Sequence, residues 1–243
     1  MNIATLDKMR TMRLFGMHTA FEAMLQTASQ KDYTHDEMMA HLVQAEWEDR
    51  HNRRITRLIT QAKFRYQAAV DQIDYVHPRE LDRGVIQRLS TCEFIPKAQN
   101  IIISGATGVG KSFIASALGH QACLLGYKTY YASTYKLFSN LKKAKADGSY
   151  QKIVQKIERQ QLLILDDFGL KPMDANARMA LLEIIEDRHG RCATIVTTQL
   201  PIKHWHPVIG ESTVADAILD RLVHSAHKIN LKGESMRKKR TPK

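Results

Sequence analysis

The sequence predicts an α/β fold: a five-stranded parallel sheet with helices on both faces, preceded by a small all-helical domain. Two observations lead there. From residue 101 onward, short apolar runs alternate with helical stretches, the pattern of strand–helix–strand units. Before residue 67 no such run occurs, and apolar residues recur near helical spacing instead.

In the front domain, residues 1–66, Met9, Met12, Leu14, Met17, Phe21, Met24 and Leu25 mark helical turns. Thr34-His35-Asp36-Glu37 reads as a capping box that opens a second helix. That helix meets no Gly or Pro and runs to about Tyr66. Its broken apolar stripe is Met38, Leu42, Ala45, Ile55, Leu58, Ile59 and Ala62. Residues 67–100 form a connector, in which His77-Pro78 interrupts any helix, Leu81–Leu89 resumes one and Pro96 closes it.

The core, residues 101–232, opens with strand Ile101–Ser104, loop Gly105–Gly110 and helix Ser112–Gly126, whose final glycine suits a C-cap. Strand Lys128–Ala132 follows, then a helix capped by Ser133 or Thr134 and reaching about Ala146, then helix Tyr150–Gln160. Strand Leu162–Asp166, helix Ala175–His189, strand Ala193–Thr198, helix Val214–Ser225 and strand Lys228–Leu231 complete it. Residues 233–243 are a basic tail.

Composition narrows the function. No apolar run approaches the roughly 20 residues that span a bilayer. Near the N-terminus, Leu6, Met9, Met12 and Leu14 are interleaved with Lys8, Arg10 and Arg13, unlike a signal peptide. The expected location is the cytoplasm, with no membrane partner. Cys92, Cys123 and Cys192 form no C-x-x-C pair, so neither a disulfide framework nor a zinc site is expected. The net charge of +11 is unevenly placed. Residues 136–159 hold seven Lys/Arg against two Asp/Glu, and residues 228–243 hold seven against one. Localised positive charge of this kind points to an anionic polymer as partner.

The chemistry sits in two motifs. Gly105-Ala106-Thr107-Gly108-Val109-Gly110-Lys111-Ser112 matches G-x-x-x-x-G-K-[ST] in full, with an apolar strand before it and a helix after. Loop N–H groups wrap phosphates where glycines permit the dihedrals, and the positive end of the following helix faces the same anion. Lys111 reaches the β and γ oxygens of ATP, and the Ser112 hydroxyl ligates Mg²⁺. Leu162-Leu163-Ile164-Leu165-Asp166-Asp167 supplies the second half. Asp166 holds Mg²⁺, most simply through a water, and Asp167 orients or activates the attacking water. The fourth strand ends at Thr197-Thr198-Gln199, where Thr198 and Gln199 are both candidates for contacting the γ-phosphate. A strand-end turn leading into Leu200-Pro201 is the alternative for each.

Further stretches carry a resemblance: Phe64-Arg65-Tyr66, Ile73-Asp74-Tyr75, Arg83-Gly84, Cys92-Glu93-Phe94-Ile95, Asp166-Asp167-Phe168-Gly169, Gln199-Leu200-Pro201, Asp220-Arg221-Leu222 and Gly233-Glu234-Ser235. Together with the phosphate loop, these resemble the AAA+ ATPases of the initiator and helicase-loader branch. Within that branch they look like the IstB-like transposition helper ATPases, encoded by bacterial insertion sequences beside their transposase. The resemblance implies a core sheet in the order 5-1-4-3-2 and ATP-dependent homo-oligomers on duplex DNA. It also implies a role in choosing the target site and delivering it to the transposase; with the short Asp167 carboxylate, slow, partner-stimulated hydrolysis is expected. In such families an arginine enters the ATP site from the neighbouring subunit, and Arg221 matches that position. An ordinary ion pair with Asp216 or Asp220 is its alternative. Three departures stand out. Asp167 replaces the common Glu, and Thr198-Gln199 replaces the common Ser-Asn. Little chain follows the fifth strand for a helical lid, so Arg237 is the candidate to stand in for the lid's nucleotide-binding arginine.

DNA contact is expected at two places. Lys142, Lys143 and Lys145 follow the second strand. Arg50, Arg53, Arg54 and Arg57 share one face of the long front helix, where Glu46–Arg50 and Asp49–Arg53 could equally form internal ion pairs. No base-reading motif accompanies them, so phosphate contacts and indifference to sequence are expected. Competing functions are a helicase loader of replication, resembling DnaC, a small-molecule P-loop kinase and a nucleotide-dependent scaffold. The kinase reading lacks an arginine-rich lid and gives the basic segments no role.

Overall fold

The computed structural model describes residues 2–27 and 33–236. They fall into two compact units, Met1–Arg57 and Leu58–Lys243.

The first unit contains α1 (Asn2–Thr11), α2 (Phe15–Thr27) and most of α3 (His35–Ala62). The capping box at the start of α3 forms in both directions. The Thr34 amide donates to Glu37 Oε2 at 2.8 Å, and the Glu37 amide donates to Thr34 Oγ1 at 3.3 Å. α2 lies so close to α3 that a Cβ on Gly16 would sit 2.3 Å from the Ala45 carbonyl oxygen. At this crossing Glu46 is buried and accepts hydrogen bonds from the Gly16 and Met17 amides at 2.9 and 3.2 Å, and from Arg50. Burial works against its charge, but the Arg50 guanidinium and the two amides outweigh it and hold its carboxyl below the ordinary glutamate value. α3 stops at Ala62 rather than near Tyr66, because Lys63 turns left-handed (φ 57°). That turn frees Phe64 to pack beside the small buried cluster of Leu58, Ala62 and Cys123.

The second unit is built on one all-parallel sheet of β1 (Ile101–Gly105), β2 (Thr129–Ser133), β3 (Leu162–Phe168), β4 (Ala193–Thr198) and β5 (His227–Leu231). The order β2-β3-β4-β1-β5 is the one the family resemblance implied. α4 (Arg83–Ser90) precedes the sheet. α5 (Lys111–Leu124), α6 (Thr134–Asp147), α7 (Tyr150–Glu158), α8 (Ala175–Arg188), α9 (Trp205–Ile209) and α10 (Ser212–Val223) connect its strands. Successive strand residues point to opposite faces, and both faces are covered. Ile101, Ile103, Ile164 and Ile195 join α5 on one side, and Ile102, Leu163, Leu165 and Val196 join α8 and α10 on the other.

Two polar devices that residue patterns do not announce hold the layers in place. Arg188, 2% exposed, donates to the carbonyls of Ile157, Gln160 and Ala193, tying α7 to the start of β4. Asn100 accepts from the Thr194 amide and donates to the Arg221 and Leu222 carbonyls, fastening the end of α10. Ser133 occupies the N-cap of α6 without a side-chain bond, and Thr134 does not cap either. Its hydroxyl instead donates to the Asp166 carbonyl at 2.9 Å. Among the described residues, no helix is long and apolar enough to cross a membrane.

The Glu46 contacts set a pH dependence for the front helices. A carboxyl held below its ordinary value stabilises the fold above that value and loses this contribution as pH falls through and beneath it. The front helices should therefore lose stability below a pH of about 4.3, the ordinary glutamate value. Glu46→Gln should flatten that dependence, as read from the amide resonances of Gly16 and Met17 during acid titration.

Candidate functional site

β1 ends at Gly105, and the loop through Gly110 delivers the chain to α5 at Lys111. Gly108 is left-handed (φ 87°), and a Cβ there would lie 2.0 Å from Ser235 Oγ. Both dihedral and space therefore exclude a side chain at that position. Gly110, also left-handed, is the N-cap of α5 and gives it no side-chain cap. Gly110 thus brings no N-cap side chain to the first-turn amides of α5, and the helix dipole adds to their pull on an anion. Val109 points into the core, while Thr107 is exposed and donates to Gln199 Oε1 at 2.7 Å. Lys111 is 5% exposed, with Nζ 2.9 Å from the Gly105 carbonyl oxygen and 2.8 Å from that of Ala106.

Asp166 stands opposite at the end of β3, fully buried. Its Oδ1 accepts from Ser112 Oγ at 2.7 Å and from Thr197 Oγ1. Its Oδ2 accepts from Tyr131 Oη and, at 3.3 Å, from Arg65 Nη1. Burial and the Asp166 hydrogen bond push the Tyr131 phenol well above its ordinary value, so it stays a donor.

In a regular strand, Asp167 would point away from Asp166. Here the pairing of β3 with β4 slips between Leu165 and Phe168, and Asp167 takes φ 58°. The irregularity turns its carboxylate toward the same cavity as Lys111 and Ser112. The Asp167 amide is held by Thr197 Oγ1 at 3.0 Å, and its Oδ2 lies 3.0 Å from Arg65 Nη1. The cavity, about 680 Å³, is lined by Thr107, Gly108, Gly110, Lys111, Ser112, Asp167 and Gln199, with Arg65, Tyr66 and Phe113 beside them. A glycine cradle at a helix N-terminus, a buried lysine and a Ser–Asp oxygen pair fit a triphosphate with a hard divalent cation.

Comparison with known proteins agrees. Residues 7–243 match the family model described as IstB-like ATP binding protein. The chain belongs to the IstB-like ATP-binding family. It is 45% identical over 234 residues to a Sinorhizobium fredii protein named as an insertion sequence ATP-binding protein, covering 96% of each chain. It is 30% identical over 218 residues to one named for insertion sequence IS21 in Pseudomonas aeruginosa, covering 90% of this chain and 82% of that one. In fold it is similar to the DnaC helicase loader (TM-score 0.57, 19% identity, covering 69% of this chain and 98% of that one). It is also similar to the replication initiator DnaA bound to AMPPCP and single-stranded DNA (TM-score 0.60, 14% identity, covering 71% and 52%). The core is thus an AAA+ P-loop fold.

Of the strand-end pair in this IstB-like chain, only Gln199 lines the cavity. Thr198 is fully buried, its hydroxyl donating to the Phe168 carbonyl at 3.0 Å and accepting from the Leu200 amide at 3.1 Å. The threonine that reaches the acidic motif is Thr197. Arg221 lines a separate cavity of about 250 Å³ and pairs with Glu186 at 2.6 Å, not with Asp216 or Asp220. Arg237 lies outside the described residues.

The sites expected to meet DNA are partly engaged. Arg50 pairs with Glu46, and Arg53 pairs with Asp49 at 2.6 Å and lies over the Phe15 ring. Arg54 and Arg57 are exposed and, among the described residues, have no carboxylate partner. Lys142 reaches Asp174 at 3.3 Å, Lys145 lies over the Tyr150 ring, and Lys143 is exposed.

Residue patterns missed four members of the site: Arg65, Arg79, Tyr131 and Thr197. Arg79 is 2% exposed and donates to the Val109 carbonyl at 2.8 Å and to the Asp74 carbonyl. The Lys232 amide donates to its carbonyl, and the Met236 amide donates to that of Gly108, so residues 232–236 lie along the phosphate loop. The one available signal was Arg65, set between Phe64 and Tyr66 in one of the stretches that carry the resemblance. Nothing local marked the other three.

The left-handed backbone at Asp167 also bears on its identity. Asp and Asn tolerate that conformation better than longer side chains. Asp167→Glu should cost about 1 kcal/mol of stability, whereas Asp167→Asn should keep the wild-type melting temperature, as measured by thermal unfolding.

Proposed function

We propose that this chain is a Mg²⁺·ATP-dependent, DNA-binding helper ATPase of insertion-sequence transposition. The Ser112–Asp166 hydrogen bond carries the reading, because it joins the phosphate loop to the acidic end of β3 inside one cavity. Loop amides and Lys111 bind the phosphates. Ser112 and Asp166 hold the metal, which when bound neutralises phosphate oxygens. Asp167 orients the attacking water and accepts its proton. Gln199, anchored to Thr107, senses the γ-phosphate.

Arg221 serves a neighbouring subunit. It is fixed on α10 away from its own phosphate loop, with Glu186 and the Ala217 carbonyl steadying it. Hydrolysis therefore requires a homo-oligomer. Lys142, Lys143 and Lys145 on α6, with Arg54 and Arg57 on α3, contact DNA phosphates. Arg50 and Arg53 contribute charge to the same helix while holding their own carboxylates. The partner that receives the DNA is the transposase, as the insertion-sequence names of the relatives support.

Binding to random-sequence duplex DNA, with and without ATP at two salt concentrations, tests this reading. ATP-dependent binding that weakens steeply with salt and is lost in Lys111→Ala is expected. Absence of DNA binding in every nucleotide state would overturn it and favour helicase loading.

Hydrolysis tests the catalytic assignments. Asp167→Asn should lower turnover by about 100-fold or more, and Arg221→Ala by on the order of 1,000-fold. Mixing the two inactive variants should restore part of the turnover, because some interfaces then pair an intact acidic site with an intact arginine.

A further inference from the structure

Asp166 is saturated by protein donors. A carboxylate offers about four lone-pair positions, and Ser112, Thr197, Tyr131 and Arg65 take one each. A metal ion at this carboxylate must share or displace one of them. The Ser112 hydroxyl can donate to Asp166 while its oxygen lone pairs face a cation, so that bond need not break. Thr197 is fully buried and also holds the Asp167 amide. Tyr131 is buried on β2 with its ring edge-on to Phe64.

Arg65 differs on every count. Its side chain is 43% exposed, and its contact with Asp166 is the longest of the four at 3.3 Å. One nitrogen, Nη1, serves both Asp166 and Asp167, so a single movement releases both carboxylates. It lines the same cavity as Lys111 and Ser112.

We propose that Arg65 is the exchangeable counter-ion of this site: it leaves Asp166 and Asp167 when Mg²⁺·ATP binds and pairs with the γ-phosphate. The inference rests on reading the cavity as a Mg²⁺·ATP site. A divalent cation and a guanidinium compete for the same carboxylate oxygens, and the cation wins only when the displaced charge finds another anion. The γ-phosphate supplies one within the same cavity, and ADP does not. Arg65 thereby ties metal binding at the acidic motif to the presence of a third phosphate, and it frees Asp167 for the attacking water only then.

The test uses the full chain with fluorescently labelled ATP and ADP, titrated with Mg²⁺, in wild type, Arg65→Gln and Arg65→Lys. Without the competing charge, Arg65→Gln should bind labelled ADP with a lower Mg²⁺ midpoint. At saturating Mg²⁺ its preference for ATP over ADP should fall by about tenfold, from loss of a charge-assisted bond. Arg65→Lys, which keeps the charge, should lie between wild type and Arg65→Gln in both readouts. A matching melting temperature checks that the variants fold. An unchanged Mg²⁺ midpoint or an unchanged ATP preference in Arg65→Gln would overturn the role of Arg65 while leaving the site reading intact. Failure of wild type to bind either nucleotide would overturn the site reading and the role of Arg65 together.

Discussion

The buried carboxylate of Asp166 is the constraint around which the ATP-binding core is arranged. A carboxyl group with no exposure is tolerable only when its polar atoms are paired. The donors come from four separate parts of the chain: Ser112 at the start of α5, Tyr131 on β2, Thr197 on β4 and Arg65 after α3. Thr134 adds a fifth tie through the Asp166 carbonyl. Satisfying this one side chain therefore fixes the register of β2, β3 and β4 at their C-terminal ends. It also fixes the distance from the acidic strand to the phosphate loop. The result is a crevice beyond the carboxyl ends of parallel strands, where such sheets place their ligands.

Thr197 links the two acidic residues. Its hydroxyl donates to Asp166 and accepts from the Asp167 amide, so one side chain holds both. The accompanying slip in the β3–β4 ladder bends Asp167 out of the strand alternation and into the cavity. A shorter carboxylate than the glutamate common in AAA+ proteins is consistent with this backbone, because the left-handed conformation disfavours longer side chains. The left-handed backbone thus supplies a physical reason for that departure.

The basic residues divide into those with structural duties and those without. Arg50 and Arg53 neutralise carboxylates within the front unit, and Arg50 supports a buried glutamate where α2 crosses α3. Lys143, Arg54 and Arg57 have no such duty among the described residues. The Arg50 and Arg53 side chains are still 58% and 47% exposed, so a phosphate can reach their guanidinium groups.

Local sequence determined the parts of this protein whose physics is local. The phosphate loop was legible because its glycines, lysine and serine act within eight consecutive residues. The capping box at Thr34–Glu37, the strand positions and most helix ends were legible for the same reason, since caps and side-chain periodicity need only near neighbours. The sheet order and the family came from stretches spread along the chain. Tertiary structure alone decided which threonine meets Asp166, which way Asp167 points, that α3 ends at Ala62, and that Arg65 and Arg79 converge on the loop. Each of these depends on groups brought together from distant positions. Arg65 lies 101 residues from Asp166 in sequence and 3.3 Å from it in space. Hydrogen bonds to a buried charge are set by which strands lie side by side, and residue patterns along one segment do not encode that.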